Sequence, residues 1–153
     1  MDYELFLKQL TALMEDCPFL IANLSNTAAL LWQSLPEINW AGFYMCRGEE
    51  LILGPFQGKP ACIRIPVGKG VCGRAAAEDR IQRVADVHAF PGHIACDSAS
   101  NSEIVIPLHA GGKLWGVLDI DSPIPDRFTE SDGRGLEMVC NVIEAFLERD
   151  PRQ

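Results

Sequence analysis

The six cysteines are the residues of this sequence best able to carry out chemistry. Cys96 lies within the segment His-Ile-Ala-Cys-Asp-Ser at 93–98, whose small and polar residues suit a loop better than a core. A thiol in such a loop can act as a nucleophile or as a redox group. Isolated cysteines more often fill a core, and we expect Cys17, Cys46 and Cys140 to be structural.

Two further cysteines precede that loop in the chain. Cys72 lies at the start of a predicted helix, beside Gly70 and Gly73, where the helix dipole and free N–H groups can stabilise a thiolate. Cys62 lies on a predicted strand just before that helix. The fold could therefore bring Cys62 and Cys72 close to Cys96.

A second group of polar residues lies on the last predicted strand. Because side chains alternate along a strand, Asp119 and Asp121 are expected to share a face with Trp115. A simple solvent-exposed face explains this pattern equally well. Trp40 and Tyr44 alternate in the same way on an earlier strand, and aromatic rings with carboxylates on a concave sheet face form a good pocket for a small cation.

Glu103 joins these carboxylates only in one register of the preceding hairpin. A two-residue loop, 111–112, would pair Asp119 with Ile104, whereas a three-residue loop, 110–112, would pair Asp119 with Glu103. We predict the three-residue loop, because Glu103 in a core would be costly. Three carboxylates this close cannot all ionise freely, so at least one should have a raised pKa and act as an acid.

Metal binding is the competing interpretation of the cysteines and histidines. The candidate ligands are Cys62, Cys72, His88, His93 and Cys96. No Cys-x-x-Cys pair occurs, and the spacings match no common zinc pattern, so we expect no metal site. The glycines of 67–73 lack the spacing of nucleotide-binding loops, and we interpret them as turn residues before a helix.

Composition restricts the classes of protein to which this chain can belong. Its 153 residues fit a single domain, 1–153. Thirteen Lys and Arg against 21 Asp and Glu give a net charge of -8, which argues against a nucleic-acid partner. Apolar stretches are too short for a transmembrane helix, and the N-terminus lacks a signal peptide. We therefore expect no membrane association and a cytoplasmic location.

The elements that must position these residues follow from periodicity and turn signals. Helices are predicted over 2–15, 19–34 and 71–78, and strands over 38–46, 50–56, 62–66, 82–87, 102–109 and 113–121. Thr129 and Asp132 have the spacing of a capping box, which opens a final helix to about residue 149. The order predicts an α+β domain with an antiparallel sheet of about six strands.

Several motifs resemble those of GAF domains and, more specifically, of the free methionine-(R)-sulfoxide reductases. They are Ala-Gly-Phe-Tyr at 41–44, Gly-Lys-Gly-Val-Cys-Gly at 68–73, His-Ile-Ala-Cys-Asp at 93–97, Ser-Asn-Ser-Glu-Ile-Val at 100–105 and Leu-Asp-Ile-Asp-Ser at 118–122. The resemblance covers essentially the whole chain. It implies a GAF-like domain in which the N- and C-terminal helices pack on one face of the central sheet.

The resemblance also implies an activity, the reduction of free L-methionine-(R)-sulfoxide. Cys96 would attack the sulfoxide, and either Cys62 or Cys72 would then close a disulfide; which of the two does so stays open. The substrate-binding residues would be Trp40, Tyr44, Glu103, Asp119 and Asp121, with Glu103 the candidate proton donor. No cofactor would be needed, because thioredoxin or another dithiol would restore the thiols. Family analogy further suggests a homodimer.

Two other functions would use some of the same residues. A non-enzymatic GAF sensor would bind a small molecule in the same pocket, but it would normally sit in a longer chain with an output domain. A thiol-based redox switch or zinc module would use the cysteines without the aromatic and carboxylate pocket. Mutation of Asp119 and Asp121 should therefore abolish turnover in a reductase and matter little in such a switch.

Overall fold

The computed structural model describes residues 1–93 and 98–149. The strands are β1 (Trp40–Arg47), β2 (Glu50–Gly58), β3 (Arg64–Pro66), β4 (Gln82–Val84), β5 (Ser102–Ala110) and β6 (Lys113–Ser122). The helices are α1 (Tyr3–Met14), α2 (Leu20–Ser34), α3 (Gly70–Glu78) and α4 (Glu130–Arg149), with a 3-10 turn at Val87–Ala89. The strands form one sheet in the order β3-β2-β1-β6-β5-β4, and every neighbouring pair is antiparallel. The predicted α+β fold class is confirmed.

The sheet separates two clusters of buried apolar side chains. Helices α1, α2 and α4 cover one face, where Phe6, Leu31 and Leu136 pack against sheet residues such as Phe43. Helix α3 covers part of the other face. The predicted packing of the terminal helices on one face is confirmed. None of the helices in the described residues combines the length and apolar character that crossing a membrane requires.

The start of α4 is fixed by the predicted capping box. The Asp132 amide donates to Thr129 Oγ1 at 3.0 Å, and the Thr129 amide donates back to Asp132 Oδ2 at 3.0 Å. These reciprocal bonds satisfy amide groups that the first helical turn leaves without partners. The Tyr3 hydroxyl also donates to Asp132 Oδ1 at 2.8 Å, which ties α1 to the start of α4.

The hairpin between β5 and β6 differs from the predicted one. Ala110 pairs with Lys113, so the loop has two residues and the predicted three-residue loop is wrong. Gly111 and Gly112 have φ of +60° and +74°, and a type I′ two-residue turn requires such positive values at both central positions. The ladder then shifts by one residue at a bulge that leaves Trp115 without a partner.

A two-residue loop alone would have placed Glu103 on the opposite face from Asp119 and Asp121. The bulge at Trp115 returns Glu103 to their face. Beyond it, Glu103 pairs with Asp121, and Val105 pairs with Asp119. The predicted pairing of Glu103 with Asp119 is therefore wrong, but Glu103 still shares a face with both aspartates. Trp115 itself packs against the helix-side core, so the prediction that it shares the carboxylate face is also wrong.

His109 of β5 links α4 to the C-terminus of α3. His109 Nδ1 lies 2.9 Å from Glu144 Oε2 on α4, and its Nε2 lies 2.6 Å from Asp79 Oδ1 at the C-terminus of α3. Burial alone would lower the pKa of His109, but the hydrogen bonds to Asp79 and Glu144 raise it overall. Only the doubly protonated ring can donate to both carboxylates at once.

Two predicted strands are shorter than the sequence pattern indicated. Strand β3 begins at Arg64, so Cys62 lies in the connection from β2, which we call the 59–63 loop. Strand β4 ends at Val84, because Asp86 turns the chain by accepting a hydrogen bond from the His88 amide at 3.0 Å.

Candidate active site

The sheet face that α3 partly covers carries a pocket lined by strands, by α3 and by the 59–63 loop. Strands β5 and β6 contribute Glu103, Asp119 and Asp121, and β1 contributes Trp40 and Tyr44. Further lining residues are Cys72 of α3, Pro60 and Ala61 of the 59–63 loop, and His93. The structure therefore brings together all the predicted substrate-binding residues.

The three carboxylates form the floor of this pocket. Glu103 is 7% exposed and Asp119 is 5% exposed. One oxygen of Asp119 and one of Asp121, Oδ1 in each case, is enclosed and accepts no hydrogen bond from the described residues. Buried carboxylate oxygens without partners are costly, so the floor is suited to a ligand that brings positive charge and N–H groups.

The proton distribution within the floor is uneven. Burial raises the pKa values of Glu103 and Asp121 well above the usual range, and the charge of Asp119 raises both further. Burial also raises the pKa of Asp119, but hydrogen bonds from Glu103, Cys72 and Asp121 oppose that effect. Asp119 is therefore the carboxyl of the three best able to hold a negative charge, while Glu103 and Asp121 keep their protons to higher pH. The predicted raised pKa of at least one carboxyl is confirmed.

Cys72 occupies the first turn of α3 and points into the carboxylate floor. Its Sγ lies 3.9 Å from Glu103 Oε1, and the side chain is buried. Burial, followed by the charges of Asp119 and Glu103, raises the pKa of the Cys72 thiol well above its usual value. Burial beside acidic groups therefore opposes the thiolate that the helix N-terminus could stabilise.

Cys72, Glu103 and Asp119 also offer one ligand atom each within 4.8 Å of one another. A thiolate and two carboxylates can bind a divalent metal ion, a grouping that the sequence spacings did not indicate. The same three atoms are held together by hydrogen bonds when protons are shared among them. The expectation of no metal site stays a prediction.

The aromatic wall is a stack of three rings. The centroids of Trp40 and Tyr44 are 5.9 Å apart, and those of Trp40 and Phe56 are 5.1 Å apart. Gly42 and Gly58 make room for this stack: a Cβ at residue 58 would lie 2.7 Å from Trp40 Cδ1, and one at residue 42 would meet Phe56 Cβ. Phe56 was not singled out from the sequence, because a register shift between Gly42 and Tyr44 is what places it opposite Gly42.

The cysteines fall into different states. Cys62 is disulfide-bonded. The free thiols among the described residues are Cys17, Cys46, Cys72 and Cys140. Cys140 is buried in the helix-side core, in agreement with its predicted structural role. Cys96, the predicted nucleophile, lies outside the described residues.

Comparison with known proteins places this geometry in a family. The family model of the GAF domain matches residues 20–147. The free methionine-R-sulfoxide reductase of Escherichia coli strain K12 is 54% identical over 140 residues, which cover 92% of this chain and 85% of the relative. The chain belongs to the GAF-domain family of free methionine-R-sulfoxide reductases.

Solved structures of such reductases have the same fold. The fRMsr of Staphylococcus aureus in its reduced form has a TM-score of 0.93 at 56% identity and covers 95% of both chains. The free methionine-R-sulfoxide reductase of Neisseria meningitidis, in complex with its substrate, has a TM-score of 0.92 at 44% identity. That match covers 95% of this chain and 87% of the other.

Two polar residues beside the reductase-like pocket were missed from the sequence. The Ser100 hydroxyl donates to Asp121 Oδ2 at 3.3 Å and accepts a hydrogen bond from Asn39 Nδ2 at 3.1 Å. Ser100 is 4% exposed, so it orients Asp121 from inside the protein. The only sequence signal for Ser100 is its place at the start of the family motif 100–105. Asn39 has none.

Proposed function

We propose that this protein reduces free methionine-(R)-sulfoxide to methionine. The observation that carries the proposal is the buried carboxylate floor opposite the aromatic wall of Trp40 and Tyr44. In this floor, one oxygen each of Asp119 and Asp121 has no hydrogen-bond partner among residues 1–93 and 98–149. The reductases named above share 44–56% of their sequence with this chain. A free amino acid with a methyl sulfoxide side chain matches both surfaces: its ammonium suits the carboxylate floor, and its methyl group and sulfur suit the aromatic wall.

The carboxylate floor explains selectivity for the free amino acid. The substrate ammonium would lie against Asp119 and Asp121, and its N–H groups would satisfy their unpartnered oxygens. A methionine sulfoxide within a peptide has no such ammonium, so it would leave these buried groups unpaired at a high cost. The methyl group and sulfur would contact Trp40 and Tyr44, since sulfur packs favourably against aromatic rings.

The first chemical step is a transfer of oxygen from the substrate to a thiol. The Cys96 sulfur attacks the sulfoxide sulfur, while protonated Glu103 donates a proton to the oxygen. Methionine leaves, and Cys96 becomes a sulfenic acid. Two electrons pass from the cysteine to the substrate, so the reaction needs no bound cofactor.

We assign the resolving role to Cys62 rather than Cys72. The Cys62 thiol condenses with the Cys96 sulfenic acid, which forms a disulfide and releases water. Cys62 is supported by its disulfide-bonded state, whereas Cys72 is a buried free thiol whose raised pKa makes it a poor nucleophile. Thioredoxin or a similar dithiol would reduce the disulfide by exchange.

The cellular compartment of this reaction follows from its need for a reductant. Recycling by thioredoxin requires a reducing compartment, and we place the protein in the cytoplasm, where it would return oxidised methionine to use during oxidative stress. We also propose a homodimer, since Leu5, Leu13 and Met138 leave exposed apolar side chains on α1 and α4.

The test is consumption of free L-methionine-(R)-sulfoxide by the purified protein with thioredoxin, its reductase and NADPH. The S epimer, a peptide-bound sulfoxide and a Cys96→Ser variant run in parallel. We expect turnover with the free R epimer alone and none with the variant. Absence of turnover with folded, reduced protein would exclude the reductase activity and favour a ligand-binding sensor.

A further inference from the structure

Two side chains of the aromatic wall hold the loop that carries Cys62. The indole Nε1–H of Trp40 donates to the carbonyl oxygen of Lys59 at 3.1 Å. The hydroxyl of Tyr44 donates to the carbonyl oxygen of Cys62 itself at 2.8 Å. The 59–63 loop is thus attached at both ends to rings that line the substrate pocket, and its middle residues Pro60 and Ala61 line that pocket as well.

The Tyr44 hydroxyl makes this contact despite acidic groups nearby. Burial raises the pKa of Tyr44 most, followed by the charges of Asp119, Cys72 and other pocket groups, so the hydroxyl keeps its proton. A phenol has one hydrogen to donate, and here that hydrogen goes to the Cys62 backbone rather than to a carboxylate. The single donor of this side chain is committed to the loop.

The support behind Tyr44 is rigid. It lies in the middle of β1, paired with Leu53 of β2 on one side and Val117 of β6 on the other. Its ring is 2% exposed and stacks on Trp40. A hydrogen bond from such a fixed ring restricts the positions that the Cys62 backbone can sample.

We propose that Tyr44 is a positioning residue for the resolving step, in addition to lining the substrate pocket. Its hydroxyl holds the Cys62 backbone where the Cys62 sulfur meets the sulfenic acid left by substrate reduction, and the two groups condense to a disulfide and water. This inference rests on the proposed function. Holding two reacting groups in place raises the rate of such a step because less freedom is lost during reaction.

The expected signature is a change in the ratio of two rates. The variant Tyr44→Phe keeps the ring and removes only the hydroxyl. We expect the rate of disulfide formation, divided by the rate of methionine formation, to fall about fivefold, the effect of one ordinary hydrogen bond. A longer-lived sulfenic acid should accumulate and be trapped by dimedone in larger yield than in the unmodified protein.

The chain offers a closely matched control. Tyr3 is its only other tyrosine, and its hydroxyl also donates a single 2.8 Å hydrogen bond, to Asp132 far from the pocket. Tyr3→Phe therefore deletes the same atom from a partly buried site that takes no part in the reaction. We expect it to leave the ratio of the two rates unchanged.

The experiment is a single turnover of reduced full-length protein with free methionine-(R)-sulfoxide, quenched at successive times. Methionine is measured by chromatography, and the disulfide by mass spectrometry after alkylation. Equal slowing of both steps in Tyr44→Phe, or the same change in Tyr3→Phe, would overturn the proposal. Absence of methionine with the unmodified protein would instead contradict the proposed function.

A second measurement does not need the sulfoxide. In glutathione redox buffers, the equilibrium constant for closing the disulfide of Cys62 should be about fivefold smaller in Tyr44→Phe, because the untethered thiol has a lower effective concentration. An unchanged equilibrium constant would overturn the positioning role even if the variant slowed turnover. Tyr3→Phe again serves as the control for a general loss of stability.

Discussion

Replacement of Glu103 by glutamine should make the protein more stable and, at the same time, much less active. Glu103 is buried beside Asp119 and is the partner of Asp121 across the β5–β6 ladder. Burial and these neighbouring charges raise its pKa well above the usual range. Glutamine keeps the size of the side chain and an N–H donor toward Asp119, but it removes the ionisable proton.

The sign of the stability effect follows from proton binding. Because the folded pKa of Glu103 is raised, the folded protein holds a proton that the unfolded chain releases above pH of about 4.5. The free energy of unfolding therefore falls as the pH rises from there toward the folded pKa. A tenfold difference in proton affinity is worth about 1.4 kcal/mol, so we expect Glu103→Gln to gain about 1–3 kcal/mol at pH 8 and almost nothing near pH 4.5.

Denaturation of the reduced protein in urea at both pH values measures this gain, with tryptophan fluorescence as the signal. In a chain of this size, 1 kcal/mol corresponds to a melting-temperature shift of about 3 °C. The matched control is Glu130→Gln, because Glu130 is an exposed glutamate at the start of α4. We expect its effect on the free energy of unfolding to stay within about 0.5 kcal/mol.

The activity of Glu103→Gln tests the proposed role of Glu103 as the proton donor. Loss of a general acid typically slows a reaction about 10²- to 10⁴-fold, and the formation of methionine in a single turnover should slow by that range. A variant that is less stable than the unmodified protein at pH 8 would refute the view that Glu103 is destabilised by its neighbours. A variant with full activity would refute its role as the proton donor.

Three further perturbations test other parts of the structure. Cys62→Ser should release one equivalent of methionine without forming a disulfide, whereas Cys72→Ser should still form the disulfide. Mass spectrometry after one turnover distinguishes these two outcomes. The reverse result would assign the resolving role to Cys72. The stability that His109 contributes should be present below about pH 6.5 and lost as the pH rises through its raised pKa. The difference in unfolding free energy between the unmodified protein and His109→Gln should therefore shrink as the pH rises. A difference independent of pH would contradict the proposed ion pairs. Gly42→Ala should cost about 1–3 kcal/mol in urea denaturation, because the new methyl group meets the aromatic stack; unchanged stability would show that the stack yields easily.

The sequence predicted which strands form the pocket, but not how two of them are aligned. Alternation along β1 correctly placed Trp40 and Tyr44 on one face. The hairpin loop alone would have sent Glu103 to the opposite face, and a bulge at Trp115 reverses that outcome. A bulge adds one residue to one strand. The missed bulge therefore cancelled the effect of the wrong loop length, and the predicted face of Glu103 was correct.

The sequence also could not rank the two cysteines that precede Cys96, because the deciding contacts come from distant parts of the chain. The helix start at Cys72 favours an ionised thiol, yet Glu103 and Asp119, from strands far along the chain, lie beside it and raise its pKa. Cys62 looked like a strand residue, but Tyr44, 18 residues earlier, takes its carbonyl oxygen as a hydrogen-bond acceptor. Local propensity describes what a segment prefers in isolation, whereas the reactivity of a thiol depends on the charges and donors around its sulfur. For that reason the same residue types at the same spacing could encode a reductase, a sensor or a switch. The buried carboxylates beside Cys72 argue against the switch, and turnover of the sulfoxide distinguishes the reductase from the sensor.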